Sequence, residues 1–321
     1  MHCIVPFAGP PSGAGAAALG GLALPTLQQL LKRWTVVARD DGDEWSYSPP
    51  HERALARAWG WAGGDGQLPF AAAWLAQEPA AANAAPPGDL AWGLLSPVHW
   101  HVGTDQVSLL DPAALMLSDT ESRAYFDAVA ELFTSEGCVL HWGSRERWYL
   151  AHEKLAGLRC ASLDRVVGRN VDRWLGGDGN VADAASQAAQ RWLRRLQGEV
   201  QMLLYTHPLN DARAERGLLP VNSFWLSGCG VAQPQAQNQA LQLDHRLRGP
   251  ALADDLAGWA RAWTTLDEGP LAELLQRGDP ADRLTLCGER SAVTLAPATG
   301  WWAGLRGRLS APTPARLLEG L

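Results

Sequence analysis

The chain has 321 residues, 47% of them hydrophobic, which is enough to bury a core without disulfide support. Its formal net charge of −7 excludes a general nucleic-acid surface, because phosphate binding needs clustered, uncompensated lysine and arginine. The sequence has neither an apolar run of about 20 residues, as a membrane span requires, nor a secretory signal at its start. We therefore expect a cytoplasmic protein with no nucleic-acid and no membrane partner.

Five cysteines are widely spaced along the chain: Cys3, Cys138, Cys160, Cys229 and Cys287. None belongs to a CxxC pair, so the pattern indicates neither a disulfide framework nor a zinc site. We predict separate, buried thiols in a reducing compartment.

The amino-terminal part of the chain predicts a strand, a turn and a helix. The apolar run from Cys3 to Ala8 indicates a buried strand, and the leucines up to Trp34 follow helical spacing, with a break or kink at Pro25. The intervening GPPSGAG has the glycines of a phosphate-binding loop but lacks the lysine of GxxxxGK[ST]. An ordinary tight turn is therefore the preferred interpretation.

An alanine- and proline-rich segment, EPAAANAAPPG, predicts a surface connection. It places a tentative boundary at 78–89 if the chain consists of two closely packed lobes. The alternative is a single large domain over residues 1–321.

Residues 90–110 favour strands, and His99 and His101 stand two apart, which predicts that they share one face of a strand. A metal site there would need a third converging ligand, such as His141 or His152. The other interpretation is a pair of half-buried sheet histidines.

Two local signals follow. Ser118 and Glu121 have the spacing of a capping box ahead of a helix. The apolar runs 138–142 and 148–151, separated by GSRER, predict a β-hairpin.

Arginines recur at intervals of four in SLDRVVGRNVDRW, which we interpret as a helix that begins at Ser162. Arg165 and Arg169 would then lie on one face with Arg173. That face could contact an anion, or nearby aspartates could neutralise it as a salt-bridged surface. The longest helical pattern follows at 184–206, with an apolar face that includes Trp192, Leu196 and Val200.

The stretch from Glu199 to Gly230 combines strong local structure with a cluster of polar groups. We predict the end of a helix, a polar loop, a buried strand at 221–226 and a glycine-flanked turn. The candidate ligand-binding residues are His207, Asn210, Arg213, Arg216, Asn222, Ser223, Gly228 and Gly230. The polar side chains offer donors to carboxylate or phosphate oxygens, and the glycines admit backbone amides. Alternatively, the asparagines and arginines cap the helix and bind carbonyls.

The remaining pattern predicts a strand at 241–243, a helix at 251–275 interrupted near Gly269, a hairpin at 283–286 and 293–295, and a helix at 301–309. Strands and helices alternate unevenly. This favours an α/β or α+β fold, with a central mixed sheet and helices packed against it.

Two levels of family resemblance emerge from these motifs. The run THPLNDARAERGLLPVNSFWLSGCG resembles the archaeal-type cofactor-independent phosphoglycerate mutases. With SLDRVVGRNVDRW and EVQMLLYTHPLN, it also resembles a proteobacterial phosphoglycerate mutase-like family, one branch of which is described as a regulatory protein of a pathogenicity-factor cluster. The resemblance implies a reduced form of the alkaline-phosphatase-like fold.

The mutases use two metal ions and an Asp-Gly after the first strand, where this chain has Phe7-Ala8-Gly9. Asp244-His245 is similar to a late ligand pair of those enzymes, without its companions. The first hypothesis is therefore a noncatalytic relative that needs no cofactor, binds a small anionic or phosphorylated metabolite and has a regulatory role.

Two alternatives remain open. One is a metal-dependent phosphotransferase or phosphatase with a divalent ion at His99, His101, Asp244 and His245. The other is a ligand-free scaffold in which some of the 16 tryptophans form an interface with a protein partner.

Overall fold

A computed structural model describes residues 1–11, 19–78, 90–176, 184–236, 240–298 and 312–321. The strands are β1 His2–Val5, β2 Trp34–Asp41, β3 Trp92–Val98, β4 Trp100–Val102, β5 Val107–Leu109, β6 Val139–Ser144, β7 Arg147–Ala151, β8 Ser223–Gly230, β9 Leu241–Leu243, β10 Arg283–Cys287 and β11 Ser291–Pro297. The α-helices are α1 Pro25–Arg33, α2 Pro50–Trp59, α3 Phe70–Leu75, α4 Asp119–Thr134, α5 Leu163–Val166, α6 Asp172–Gly176, α7 Ala184–Tyr205, α8 Pro208–Glu215, α9 Arg248–Leu252, α10 Leu256–Glu268, α11 Pro270–Arg277 and α12 Pro314–Glu319. Short 3₁₀ helices span Pro112–Leu115 and Glu153–Leu155.

The chain divides into two compact units. One consists of Met1–Gly60 with Gln235–Leu321, and the other of Trp61–Pro234. The boundary predicted at 78–89 lies within the span of the second unit, and its residues 79–89 lie outside the described part. The GPPSGAG turn from residue 12 onward and the helix predicted at 301–309 also lie outside it.

The first unit contains a five-stranded mixed sheet in the order β2-β11-β10-β1-β9. β1 runs parallel to β9 and β10, whereas β11 is antiparallel to both of its neighbours. The predicted strand 241–243 and the late hairpin are thereby confirmed. Leucines of α1 pack with Trp259 and Trp263 of α10 in the core. The predicted α/β fold with a central mixed sheet is confirmed.

Helix α1 begins at Pro25 and residues 20–24 are not helical, so the predicted break in the helical pattern at Pro25 is confirmed. Proline fits the first turn of a helix because its missing N–H would have no intrahelical partner there. The residue before it offers no side-chain cap, and Asp267 supplies one instead. Its buried carboxylate accepts from the backbone N–H groups of Thr26 and Leu27 at 2.9 and 2.7 Å.

The second unit contains a four-stranded antiparallel sheet in the order β6-β7-β3-β8. The predicted hairpin is confirmed as β6 and β7. Both partners of the predicted capping box are in place at the start of α4, where the Ser118 hydroxyl accepts from the Glu121 N–H. Helix α7 confirms the longest helical prediction, and it packs against α4 and β8.

The helix predicted from Ser162 is wrong in its extent. It ends after α5, because Val167 leaves helical geometry and Gly168 adopts a φ of +76°. Val167 and Asn170 then form isolated bridges to Leu109 and Ser108 of β5, before α6 begins. The arginines spaced at four residues therefore do not share one helical face.

Within the part of the chain that the structure describes, no helix is both long enough and apolar enough to cross a bilayer.

Candidate functional site

The predicted polar loop after α7 is a helix. His207 is its N-cap, and the Nδ1 atom of its ring accepts from the Leu209 N–H at 3.3 Å. Pro208 occupies the first turn, and Gly217, at a φ of +67°, follows the end. The prediction of a loop was wrong because α8 is short and only weakly amphipathic, so its polar residues outweigh the helical signal.

Arg213 points into the protein from α8. Its side chain is 1% exposed, and Nε donates to the Leu219 carbonyl at 2.7 Å. Its terminal nitrogens donate to Glu121 at 3.1 Å and to the Leu115 carbonyl. The guanidinium thus connects three segments: α4, the 3₁₀ helix before it and the loop after α8.

Asn210 is buried on the same helix and satisfies its whole side-chain amide within the protein. The Oδ1 atom accepts from the Tyr125 hydroxyl at 2.6 Å and from the Val221 N–H at 3.0 Å. The Nδ2 group donates to the carbonyls of Leu204 and Val221, both at 2.8 Å. This amide therefore sets the path of the chain from α7 into β8.

Asn222 and Ser223 also have partners inside the second unit. The Asn222 amide exchanges hydrogen bonds with the backbone of Trp100, at 2.7 and 2.9 Å. The Ser223 hydroxyl accepts from the Gln201 amide at 3.3 Å. These contacts tie the start of β8 to β4 and to α7.

The glycine-flanked turn predicted after the strand is wrong, because β8 continues through both glycines to Gly230. Gly228 adopts a φ of +62°, and a Cβ atom there would lie 3.1 Å from the backbone nitrogen of Ala71. At Gly230 a Cβ would lie 3.0 Å from the Cβ of Pro69. The lack of a side chain at these two glycines therefore lets α3 and Pro69 pack closely against β8.

The predicted ligand-binding residues from α8 and β8 are therefore brought together, but as an internal network. Arg216 completes it, because its guanidinium donates to the same Glu121 carboxylate and to the Ala212 carbonyl. Ligand binding by these residues stays a prediction. Their described hydrogen bonds support the structural alternative, in which polar side chains bind carbonyls and fix the loop.

Glu121 makes this network sensitive to acid. Burial raises the pKa of its carboxyl, but hydrogen bonds from Arg216 and Ser118 lower it more, so the pKa falls from the usual 4.5 to about 2. A folded-state pKa below the unfolded one contributes stability that is complete above the unfolded pKa. We expect this contribution to be lost as the pH falls from 4.5 to about 2.

The measurement is the urea midpoint above and below this pH window. Glu121→Gln should have a lower midpoint than the wild type at neutral pH and should lose less stability on acidification. An equal acid loss in both proteins would contradict this role for Glu121.

Arg165 and Arg169 lie in a different segment of the chain from this network. Arg165 is buried on α5, with its guanidinium 5.8 Å from the ring centre of Trp174. Arg169 is half-buried in the irregular segment before α6. Anion binding by this pair stays a prediction.

The candidate metal ligands do not form a cluster. His99 lies between β3 and β4, not on the one strand predicted, although the rings of His99 and His101 are 6.5 Å apart. The Nδ1 atom of His99 contacts the Pro220 carbonyl at 2.9 Å. Asp244 belongs to the first unit with His245, and it forms an ion pair with Arg246 at 2.8 Å. No group of three histidine, cysteine or acidic side chains placed to hold a metal occurs in the part of the chain that the structure describes.

A small cleft with an accessible volume of about 30 Å³ lies beside α7 in the second unit. We call it the α7 cleft, and the residues that line it include Arg159, Cys160, Trp174, Arg194, Gln197 and Trp225. Its walls come from α7, β8, α6 and the segment that follows the second 3₁₀ helix. The sequence patterns did not indicate this site.

Gln197 is the most deeply buried of the amide and guanidinium side chains that line the α7 cleft, at 4% exposed. The sequence contained a signal for this buried position, because Gln197 is a polar residue on the largely apolar face of α7. It lies four residues after Leu193 and four before Gln201.

Arg194 stands one turn before Gln197 on the same helix and lines the same cleft. Its Nε and one terminal nitrogen both donate to the Leu175 carbonyl, at 3.1 and 2.9 Å. The second terminal nitrogen has no partner among the described residues. The guanidinium is therefore held in place while this nitrogen remains available to a ligand. On the other wall, the Trp225 indole donates to the Ala161 carbonyl at 2.9 Å, which fixes its ring.

Comparison with known proteins gives no family for this chain. No protein-family model matches it, and no curated protein does. Among solved structures, a cofactor-independent phosphoglycerate mutase from Thermoplasma acidophilum matches with 14% identity and a TM-score of 0.36, over 100% of this chain and 98% of that one. The PH0037 protein from Pyrococcus horikoshii matches with 10% identity and a TM-score of 0.45, over 99% and 94%. At these low values neither similarity supports an argument about function, and membership of the proteobacterial family stays a prediction.

Proposed function

We propose that this protein is a noncatalytic, regulatory protein that binds a small anionic or phosphorylated metabolite in the α7 cleft. The observation that carries the proposal is that the buried Gln197 and the guanidinium of Arg194 line the same cleft.

The chemistry of the cleft favours an anion. The Gln197 amide and the remaining terminal nitrogen of Arg194 can both donate hydrogen bonds to a ligand, and the guanidinium adds a positive charge. Trp174 and Trp225 provide apolar walls for a short carbon skeleton. A phosphate or carboxylate on a small organic molecule satisfies both features.

The noncatalytic part of the proposal is supported by the first strand. Phe7, Ala8 and Gly9 follow β1, so this position lacks the carboxylate that a two-metal mutase needs there. Purified protein should therefore not turn over 3-phosphoglycerate in the presence of Mn²⁺ or Zn²⁺. Turnover that depends on His99 or Asp244 would instead support the metal-dependent enzyme.

The test of binding is calorimetric titration with inorganic phosphate and with 3-phosphoglycerate. Arg194→Ala should weaken binding roughly 10- to 100-fold, because a hydrogen bond to a charged group contributes about 1.5–3 kcal/mol. Arg191→Ala is the matched control, since Arg191 is an exposed arginine on the same helix that does not line the cleft. Its affinity should equal that of the wild type.

Gln197→Leu separates binding from folding. Leucine keeps much of the side-chain volume and removes the amide, so affinity should fall while the unfolding free energy stays within about 1 kcal/mol of the wild-type value. A larger loss of stability would show that the glutamine is structural. If neither anion binds to the wild type, or if Arg191→Ala and Arg194→Ala weaken binding equally, the proposed site is wrong.

A further inference from the structure

Two of the five cysteines are neighbours in space. The Sγ atoms of Cys160 and Cys229 are 3.5 Å apart, although 69 positions separate them in the sequence. The prediction of buried thiols is confirmed for all five cysteines, but for this pair the prediction of separate thiols is wrong. The reason is tertiary: β8 carries Cys229 to the irregular segment that contains Cys160.

The two thiols are not equivalent. Cys229 is 1% exposed and donates its S–H to the sulfur of Cys160, and this hydrogen bond together with burial raises the pKa of Cys229 well above its usual value. Cys160 is 7% exposed and lines the α7 cleft. A small molecule that enters the cleft therefore meets Cys160 first, with Cys229 directly behind it.

The sulfurs need only a small movement to bond. A disulfide has an S–S distance of about 2.05 Å, so the two atoms must approach by roughly 1.5 Å. Cys229 has little freedom, because a Cβ added at Gly93 on the neighbouring strand would lie 3.0 Å from its sulfur. Cys160 lies outside helices and strands, between the second 3₁₀ helix and α5, and its side chain can make most of this movement.

We propose that Cys160 and Cys229 form a dithiol site that a small hydroperoxide oxidises to a disulfide. The sulfur of Cys160 attacks the O–O bond and becomes a sulfenic acid, and the displaced oxygen leaves as water with the proton of Cys160. The sulfur of Cys229 then attacks the sulfenic sulfur, and the hydroxyl leaves as water with the proton of Cys229. The two thiols lose two electrons, which reduce hydrogen peroxide to two waters.

The disulfide has a structural consequence for the cleft. Cys160 lies in one wall, whereas Cys229 lies on β8, whose residues Trp225 and Leu226 form another. Oxidation therefore joins two walls covalently. The site itself does not depend on the proposed anion, so the two proposals can fail independently.

The experiment is oxidation of the folded wild-type protein with hydrogen peroxide, followed by peptide mapping without a reductant. The expected product contains a Cys160–Cys229 linked peptide, and its intact mass is lower by two hydrogen atoms. Dithiothreitol should reverse both changes. Circular dichroism before and after oxidation checks that the protein stays folded.

Variants assign the two roles. In Cys229→Ala the sulfenic acid on Cys160 has no resolving thiol, so a 1,3-diketone probe should label Cys160. In Cys160→Ser no link and no label at Cys229 should form. Cys138→Ser is the control, since Cys138 is another buried thiol of the same unit, and it should retain the link.

The proposal is overturned if Cys160 and Cys229 of the folded wild type both stay reduced, or if Cys160 proceeds to sulfinic acid with no linked peptide. A link that forms only after unfolding in urea would also overturn it.

Discussion

Arg213→Ala is expected to lower the free energy of unfolding by about 3–5 kcal/mol, the usual cost of removing one partner from a buried ion pair. The substitution leaves the carbonyls of Leu115 and Leu219 without this donor and removes one of the two arginines at Glu121. The measurement is urea unfolding at neutral pH, monitored by tryptophan fluorescence.

Arg216→Ala is the matched control, because Arg216 donates to the same carboxylate from a side chain that is 53% exposed. An exposed ion pair contributes little, so we expect a loss below about 1 kcal/mol. Arg213→Lys should fall between the two, since a lysine keeps the charge but cannot reproduce the fork of donors. Equal losses at Arg213 and Arg216 would contradict the structural role of Arg213.

The same variant also tests the ligand-binding prediction for α8. If Arg213 is structural, the phosphate affinity of folded Arg213→Ala, measured well below its unfolding midpoint, should equal that of the wild type. A loss of affinity as large as that of Arg194→Ala would move the site from the α7 cleft back to α8.

Asn210→Ala is expected to cost about 3 kcal/mol, because truncation leaves buried donors and acceptors of three residues without partners. These are the hydroxyl of Tyr125, the N–H and carbonyl of Val221 and the carbonyl of Leu204. Urea unfolding measures the loss. Amide hydrogen exchange should show faster exchange at Val221, whose N–H loses its acceptor.

Asn222→Ala provides the comparison. Its amide makes two hydrogen bonds to Trp100 in a half-buried position, where water can replace part of the interaction. We expect a loss of about 1 kcal/mol. Equal losses of unfolding free energy in the two alanine variants would contradict this prediction, because the loss would then not depend on the number and burial of the hydrogen bonds removed.

Local sequence signals predicted the elements that depend on neighbouring residues alone. The amphipathic pattern of α7 and the capping box of α4 each arise within a few turns, and both were confirmed. The weakly amphipathic α8 was missed. At Val167 and Gly168 the chain leaves helical geometry to bridge β5, so the helical pattern from Ser162 ended early.

In the polar stretch 199–230, too, the local sequence indicated which side chains make hydrogen bonds, but distant segments decided their partners. Its sequence correctly indicated that Asn210 and Arg213 bind something, because both types carry several donors. Their partners Tyr125, Glu121 and Leu115 lie 85 to 98 positions away. A donor pattern alone could not distinguish an internal carbonyl or carboxylate from a ligand.

By itself, the sequence determined the class of fold, the main helices and hairpins, and the presence of buried thiols, because hydrophobic period and capping act over short distances. Only the tertiary structure decided which polar groups are already satisfied. It assigned the donors of Arg213 to the protein, placed Gln197 in the wall of a cleft, and brought Cys160 to Cys229. Each of these outcomes depends on contacts between segments far apart in the chain, and residue type does not specify such contacts.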